Sequence, residues 1–335
     1  MAFNGSLRLA ISSDGALFEP TQRFLRSCGI GVSRSNTRRY IADIPAMPGV
    51  TVMFQRGADI TPKVEEGSAD LGVVGLDRYL ETRSEGGDSG VVIDDLDFGR
   101  CQLVLGVPDS WVDVVSLADL ADVSMEFRQQ GRDLRIVTKY PRLLERFLLR
   151  SGINLFSLVH SSGTLEAAVA MGFADMIADV SESGTTMREN RLKTISGGTI
   201  ISSQACLIGN QRLLSEDDAK LESAKTIVDV MEGHLRSRNY FSITANMRGE
   251  TPEDVARQVL EHTDISGLRG PTIAKVYSQD GSGWYAATVI IRKSKLTEAV
   301  DSLRQAGGTS VTVTDLSYVF NSTCEAQERL TSGAV

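Results

Sequence analysis

The sequence predicts an α/β protein with two lobes and a separate C-terminal domain. Through residue 210, short β-like runs alternate with amphipathic segments, a pattern typical of α/β units on mainly parallel sheets. Within this part, the polar, glycine-containing segment 81–97 separates two strand-rich blocks, which indicates two lobes with a cleft. After a long helical segment, the elements follow the order β-α-β-β-α-β, the ferredoxin-like arrangement of many small regulatory domains.

The predicted strands of the first part are short runs rich in aliphatic residues. They are 7–11, 50–55, 70–75, 102–107, 134–138, 155–159 and 174–180. Two helices are well marked, since Gly29 stops 18–28 and Pro141 opens 141–150. Segment 215–238 has apolar residues every three or four positions, with Ser215 as candidate N-cap, and predicts a connecting helix.

The C-terminal part alternates strands and helices at shorter spacing. The predicted strands are 240–247, 272–277, 285–292 and 311–314, and the predicted helices are 251–262 and 296–305.

Composition excludes several functional classes. The 335 residues include 35 basic and 43 acidic ones with no long run of one sign, so no stripe exists for binding nucleic acid. The four cysteines lie far apart without a C-x-x-C motif and the three histidines are scattered, which favours a reducing compartment and no zinc site. No stretch approaches the length of a membrane span or signal sequence, so we expect a cytoplasmic protein without a membrane partner.

The most informative segment is 173–192. A strand ends in a small, hydroxyl-rich turn around Gly184 and a helix begins, so backbone N–H groups and the helix dipole converge on one point. Ser183, Thr185 and Thr186 add hydroxyl donors, which indicates a phosphate site; on pattern alone, a capped helix is an equal alternative. Asp179 ends the strand, where ligands of open α/β sheets bind, at the distance that separates a sugar's diol from its 5′-phosphate.

The same segment resembles the signature of ATP phosphoribosyltransferases, an acidic residue followed by A-D-x-I-x-D and then by [ST]-G-x-T. Glu166, the 174–179 run and the 183–186 turn fill these positions. Five further motifs follow in family order: DLGVVG at 70–75, LDFGRC at 96–101, RIVTKYP at 135–141, GTLE at 163–166 and ACLI at 205–208. The likeness runs from about residue 7 to 319, and the chain is identified as a member of this family.

The resemblance implies two catalytic lobes of periplasmic-binding-protein type, the second inserted in the first, and a C-terminal domain that binds histidine. The expected boundaries are 1–104 with 197–214 for lobe I, 105–196 for lobe II, 215–238 for the connecting helix, 239–322 for the regulatory domain and 323–335 for a tail. The implied reaction is displacement of pyrophosphate from C1 of phosphoribosyl pyrophosphate by N1 of ATP, with Mg²⁺ on the pyrophosphate. The resemblance also implies a homo-oligomer, a dimer that associates to hexamers.

For phosphoribosyl pyrophosphate, the resemblance assigns Ser183, Gly184, Thr185 and Thr186 to the 5′-phosphate and Asp179 to the ribose diol. It places Glu166 beside the reacting sugar or its metal; the alternative for Glu166 is a helix N-terminal carboxylate stabilised by the macrodipole.

For ATP, the resemblance assigns Tyr140 to the nucleotide, Arg56 to the polyphosphate and Asp70 to the cleft wall. The alternatives are a tyrosine that packs a helix start and an arginine on the surface. Asp175 is interpreted as a structural residue of the strand.

For the effector, segment 267–273 resembles the turn that holds histidine, which places the ligand near Leu268, Thr272 and Asn246. Gly270 stands where the family usually has serine, so weaker or altered feedback is expected.

One departure from the family concerns the turn after the first strand. The chain has Asp14 where a lysine is usual, so the cation expected near the phosphates is absent. Either Lys139 or Arg100 compensates, or catalysis is slow, or the chain is a divergent paralogue that binds nucleotides or regulates without turnover. A Rossmann dehydrogenase is excluded, since no G-x-G-x-x-G follows the first strand.

Overall fold

The structure is a computed structural model that describes residues 6–34, 36, 39–159, 165–262, 270–278 and 281–331. The chain divides into two compact units, one formed by Met1–Thr226 with Glu325–Val335 and the other by Ile227–Cys324. None of the described helices is long and apolar enough to cross a membrane.

The elements of the first unit alternate between strands and helices, as the sequence predicts. In chain order they are β1 (Leu7–Ser12), α1 (Phe18–Ser27), β2 (Ile41–Asp43), β3 (Val50–Gln55), α2 (Gly57–Glu65), β4 (Leu71–Gly75), α3 (Leu76–Thr82), β5 (Ser89–Ile93), β6 (Cys101–Pro108), α4 (Leu117–Gln129), β7 (Leu134–Thr138), α5 (Pro141–Arg150), β8 (Phe156–Val159), α6 (Leu165–Ala170), β9 (Met176–Ser181), α7 (Thr185–Glu189), β10 (Leu192–Ser203), β11 (Ala205–Asn210), α8 (Gln211–Glu216) and α9 (Asp218–Ser237).

The second unit continues the alternation after α9, which runs across the boundary. Its elements are β12 (Tyr240–Arg248), α10 (Pro252–His262), β13 (Thr272–Ser278), β14 (Gly281–Arg292), a 3₁₀ turn (Lys293–Lys295), α11 (Leu296–Gln305) and β15 (Thr309–Asp315). The chain then returns to the first unit with α12 (Glu325–Arg329), which packs against β5.

Lobe I is built on a sheet with the strand order β2-β3-β1-β4-β11-β5. Strand β1 runs parallel to both β3 and β4, and α1 and α2 pack against it. Because β1 is covered by helices, its residues from Leu9 to Ile11 are fully buried, which explains the apolar run seen in the sequence.

Lobe II is built on a second sheet with the order β10-β6-β9-β7-β8. Strand β7 runs parallel to β8 and β9, and α5 packs Leu144 and Leu148 into the core of this lobe. The predicted α/β fold of two lobes is confirmed. The chain passes from the sheet of lobe I to that of lobe II between β5 and β6 and returns between β10 and β11.

Two local expectations were wrong. Segment 81–97, interpreted as a polar connection, contains β5, whose Val92 and Ile93 are buried beside β11. Ser215 is not an N-cap, since it lies in α8; Asp217 accepts the N–H groups of Ala219 and Lys220 and starts α9 instead.

The second unit has the predicted βαββαβ order. Its sheet has the order β13-β14-β12-β15, and α10 and α11 cover one face. Along β12, Ile243, Ala245 and Met247 alternate into the core, while the residues between them lie on the other face of the sheet.

Candidate active site

The described part of the first unit contains a cavity of about 410 Å³ between the two lobes. Lobe I lines it after the carboxyl ends of β1, β3 and β4, and lobe II lines it with α6 and with the turn after β9. The cavity therefore lies where open α/β sheets bind ligands. Its polar or glycine lining includes Gly57, Gly75, Asp77, Arg78, Cys101, Glu166, Asp179, Ser181, Glu182, Ser183, Gly184, Thr185 and Thr186.

The turn between β9 and α7 has a geometry that only glycine adopts without strain. Gly184 has φ +72°, and its N–H donates to Ser181 Oγ at 2.9 Å. The hydroxyls of Ser183 and Thr185 share a hydrogen bond of 2.9 Å. The first N–H groups of a helix lack intrahelical partners, so the turn presents donors from both backbone and side chains to the cavity.

Arg188 supports this turn from the exposed side of α7, a contact that the sequence pattern did not indicate. Its Nη2 donates to the carbonyl oxygen of Ser183 and to Thr185 Oγ1, both at 3.2 Å. A guanidinium group thus lies next to the turn that resembles the phosphate loop, where positive charge favours an anion.

Asp179 lies at the carboxyl end of β9, half-buried in the cavity wall. Burial raises the pKa of its carboxyl group, and the neighbouring Glu166 carboxylate acts in the same direction. The N–H of Val180, which donates to Asp179 Oδ1 at 2.8 Å, and the charges of Lys139 and Arg78 oppose this shift. The carboxylate therefore gains free energy from any ligand that supplies hydroxyl donors or positive charge.

Glu166 lines the same cavity from the first turn of α6. A carboxylate there is favoured by the helix dipole, and its cavity position leaves it able to contact a ligand as well. The structure thus brings Glu166, Asp179 and the 183–186 turn together.

Tyr140 lies behind the cavity wall rather than in it. Its phenol is buried and donates to Asp77 Oδ2 at 2.6 Å, and the Arg78 guanidinium lies 4.2 Å from its ring centroid. Burial, followed by the charge of Asp77, raises the pKa of the Tyr140 phenol, so it remains a donor. Asp77 and Arg78 line the cavity and come one residue after the 70–75 motif; this nearness to the motif is the sequence signal that could have identified them.

Asp70 does not lie at the cleft, which corrects the sequence interpretation. It is fully buried at the amino end of β4, where its Oδ1 accepts from Arg8 Nη2 at 2.8 Å and from Lys220 Nζ at 3.1 Å. Because ligands bind at the opposite ends of these strands, Asp70 has a structural role. Arg56 is exposed and precedes Gly57, a residue of the cavity wall.

Asp14, which stands where the family usually has lysine, has two candidate compensating cations, Arg100 and Lys139. Asp14 is exposed, and Ala16 and Leu17 of the same turn line the cavity instead. Arg100 is bonded to Asp95 and Asp97, whereas Lys139 lines a neighbouring cavity of about 400 Å³ together with Arg78. Of the two cations considered, Lys139 is therefore the one placed beside the site.

Asp175 accepts hydrogen bonds from Arg132 and Arg135, at 2.7 and 2.9 Å, which agrees with its interpretation as a structural residue.

In the second unit, Asn246 and Thr272 lie on the same sheet. Thr272 pairs with Thr288 of β14, which pairs in turn with Thr244 of β12, and Asn246 lies two residues further along β12. Both predicted effector residues therefore lie on the sheet face that α10 and α11 leave open. Leu268, the third, is outside the described residues.

Comparison with known proteins agrees with these features. Residues 56–233 match the sequence profile of the ATP phosphoribosyltransferase family, and residues 237–318 match the profile of its C-terminal domain. ATP phosphoribosyltransferase 1, chloroplastic, of Arabidopsis thaliana is 38% identical over 321 residues, which cover 94% of this chain and 78% of that protein. The ATP phosphoribosyltransferase of Brucella anthropi is 38% identical over 224 residues, which cover 66% of this chain and 96% of that protein.

Among solved structures, an ATP phosphoribosyl transferase complex from Thermotoga maritima aligns with a TM-score of 0.51 at 21% identity, over 68% of this chain and 98% of that one. This alignment supports the fold of the catalytic part. The relatives give no support to a paralogue without activity. The chain belongs to the family of ATP phosphoribosyltransferases, the enzymes that transfer the phosphoribosyl group of phosphoribosyl pyrophosphate to N1 of ATP in the first step of histidine biosynthesis.

Proposed function

We propose that phosphoribosyl pyrophosphate occupies the interlobe cavity, with its 5′-phosphate on the 183–186 turn and its ribose diol on Asp179. The observation that carries this proposal is the presence of both groups in one cavity of about 410 Å³. The turn offers N–H and hydroxyl donors to a phosphate, and the Asp179 carboxylate accepts hydrogen bonds from two vicinal hydroxyls.

ATP is proposed to bind on the side of Arg56 and Arg78, where the buried Tyr140 ring lies behind the Arg78 guanidinium and holds it in place. The Arg78 guanidinium lines both cavities and, with Lys139, supplies the positive charge that the polyphosphate needs in place of the missing lysine at position 14. Asp70 is left out of this site because it is buried in ion pairs at the other end of its strand.

The chemistry follows from charge and position. The bond between N1 of adenine and C1 of the ribose forms as the bond from C1 to the pyrophosphate oxygen breaks, and N1 already has a lone pair, so no general base is required. Positive charge develops on the ribose ring in the transition state. The carboxylates of Glu166 and Asp179 are proposed to stabilise that charge, which also offsets the cost of burying Asp179.

Mg²⁺ fits this site as an ion that arrives on the substrate's phosphates. The cavity wall offers hard oxygen donors, Glu166 among them, but the described ranges contain no cluster of three acidic, histidine or cysteine side chains that could hold a metal. Mg²⁺ usually keeps several waters and binds through one or two carboxylates with substrate phosphates, which suits this arrangement. When bound, the ion would neutralise charge on the departing pyrophosphate, and Glu166 is the residue proposed to contribute an oxygen.

Regulation by histidine is proposed for the second unit, near Asn246, Thr272 and Leu268. With Gly270 in place of the usual serine, we expect weak feedback. Calorimetric titration with histidine tests this, and no heat at millimolar ligand would contradict it.

A homo-oligomer, dimer to hexamer, is likewise proposed, and size-exclusion chromatography with and without histidine tests it.

Four cysteines outside any disulfide suit a reducing compartment, for which we propose the cytoplasm. The Arabidopsis relatives carry chloroplastic names, and fractionation of the source cells decides between the two compartments.

The site is tested with a pyrophosphate-release assay that contains ATP, phosphoribosyl pyrophosphate and Mg²⁺. Asp179→Ala is expected to lower kcat by a factor on the order of 10² or more, as is usual when one group that stabilises transition-state charge is removed. Glu189→Gln, on the exposed side of α7, is the matched control and is expected to keep full activity. Full turnover by Asp179→Ala would contradict the proposed site.

A further inference from the structure

One buried carboxylate joins the two lobes at the back of the cavity. Asp77 is the second residue of α3 in lobe I, and its Oδ2 accepts from the Tyr140 phenol of lobe II at 2.6 Å. The Oδ1 of Asp77 accepts from Ser203 Oγ at 2.6 Å, and the backbone N–H of Asp77 donates to Ser203 Oγ at 2.9 Å. Ser203 ends β10, directly before the chain returns to lobe I at Gln204, so Asp77 contacts both the opposite lobe and a crossing strand.

Another contact between the lobes is made by Glu81 of the same helix, which lines the neighbouring cavity with Arg78 and Lys139. The Glu81 carboxylate accepts the N–H groups of Arg142 and Leu143 at 3.0 and 2.9 Å, and so caps the first turn of α5. This cap joins the Glu81 side chain of α3 to backbone groups of α5. Asp77 differs because its partners are side chains, one of which is the tyrosine proposed to lie beside ATP.

Three contacts hold Tyr140 in place. Asp77 fixes its hydroxyl, the Arg78 guanidinium lies over its ring at 4.2 Å from the centroid, and its backbone N–H donates to Thr138 Oγ1 at 3.0 Å. Loss of the Asp77 acceptor would leave a buried hydroxyl without its partner, which displaces the ring or admits water. A displacement of about 1 Å near reacting groups lowers a rate by up to about 10².

We propose that Asp77 is a positioning residue for phosphoribosyl transfer, which fixes the Tyr140 ring and the separation of the two cavity walls by accepting the Tyr140 and Ser203 hydroxyls. The inference rests on the proposed place of Tyr140 in the ATP site. Asp77 itself acts through its two partners rather than on the reacting atoms.

The test compares Asp77→Asn with Tyr140→Phe and with the double variant. Asparagine has the shape of aspartate but only one acceptor oxygen. Ser203 Oγ already accepts the N–H of residue 77 and therefore keeps that oxygen, so the Tyr140 phenol loses its acceptor; phenylalanine at position 140 keeps the ring and loses only the O–H. Each single change is expected to lower kcat by roughly 10², while the Kd of phosphoribosyl pyrophosphate stays close to the parent value in calorimetry. The double variant is expected to be no slower than Asp77→Asn alone, because both changes remove one interaction.

Glu85→Gln is the matched control, since it weakens an interlobe contact outside both cavities: the Glu85 carboxylate accepts from Arg142 Nη2 at 3.1 Å and from Arg146 Nη2 at 3.3 Å. It is expected to leave kcat unchanged. An equal fall of kcat in Glu85→Gln, or additive losses in the double variant, would overturn the role of Asp77. If Asp77→Asn does not fold, Ser203→Ala removes the other hydroxyl, and an unchanged kcat there overturns the proposal equally.

Tyr140→Ala separates this inference from the proposed ATP site. Removal of the whole ring is expected to raise the KM of ATP. An unchanged KM of ATP would reject the proposed place of Tyr140 at the ATP site. The coupling between Asp77 and Tyr140 is judged separately, from the kcat values of Asp77→Asn, Tyr140→Phe and the double variant.

Discussion

Asp70 offers the sharpest test of the structural reasoning, because the sequence motif and the folded chain assign it different roles. It receives four hydrogen bonds within 3.1 Å, from the N–H, Nε and Nη2 of Arg8 and from Lys220 Nζ. Removal of one member of a buried ion pair costs about 3–5 kcal/mol. The Arg8 and Lys220 side chains are 22% and 15% exposed, so water partly solvates them, and the amide of Asp70→Asn keeps one acceptor. We therefore expect a loss of about 2 kcal/mol for Asp70→Asn.

At about 2–4 °C per kcal/mol, this loss corresponds to a fall of roughly 4–8 °C in melting temperature. Burial alone would raise the pKa of the Asp70 carboxyl group, but the hydrogen bonds from Arg8 outweigh burial and lower that pKa. The stabilisation is therefore present above the unfolded-state pKa and disappears as the pH falls through the folded-state value, so the parent and Asp70→Asn should converge in acid.

The assay for this prediction is calorimetry together with steady-state kinetics, with the exposed Asp59→Asn as control. Asp70→Asn is expected to keep the parent KM for ATP at a temperature where it is folded. A large rise in that KM without a change in melting temperature would refute the structural role and return Asp70 to the ATP site.

Three further outcomes are expected. Gly184→Ala places a side chain at φ +72°, which should lower the free energy of unfolding by about 1–2 kcal/mol and raise the KM of phosphoribosyl pyrophosphate. Gly131→Ala, at φ +84° in an open turn, is the control: it should lose similar stability in a melting experiment without any change in that KM. Asp179→Asn should raise the melting temperature at neutral pH. Burial raises the pKa of Asp179, so the protein loses stability as the pH rises through the folded-state pKa and this carboxyl group ionises. An unchanged melting temperature would show that burial of the Asp179 carboxylate is not costly. Burial and then the charge of Asp77 raise the pKa of the Cys101 thiol to about 11, so Asp77→Asn should label faster with a thiol reagent at mildly alkaline pH, as followed by mass spectrometry; an unchanged pH profile would contradict the proximity of these two groups.

Much of the proposed substrate site could be predicted because it is local in sequence. The strand, the turn at Gly184 and the start of the next helix lie within about a dozen residues, and the hydroxyl and glycine positions that make the turn are consecutive. Regular elements with strong patterns, such as β3, β7 and α5, lie at the predicted residues for the same reason.

Predictions failed where the outcome depends on partners far away in the chain. Asp70 and Asp77 belong to one short stretch, yet the first lies at the amino end of β4 and the second follows its carboxyl end. Strand β5 escaped prediction because its burial comes from β11, more than a hundred residues later.

The sequence by itself determined the fold class, the family and the phosphate-loop candidate, since helix and strand periodicity, turn chemistry and a contiguous motif all act over a few residues. Only the tertiary structure decided which acids reach the cavity. Asp70 is neutralised by Arg8, 62 residues away, and by Lys220, 150 residues away, whereas Asp77 meets Tyr140 and Ser203 at the junction of the lobes. The strength of such contacts depends on burial and on the distance between folded elements, neither of which a local pattern contains.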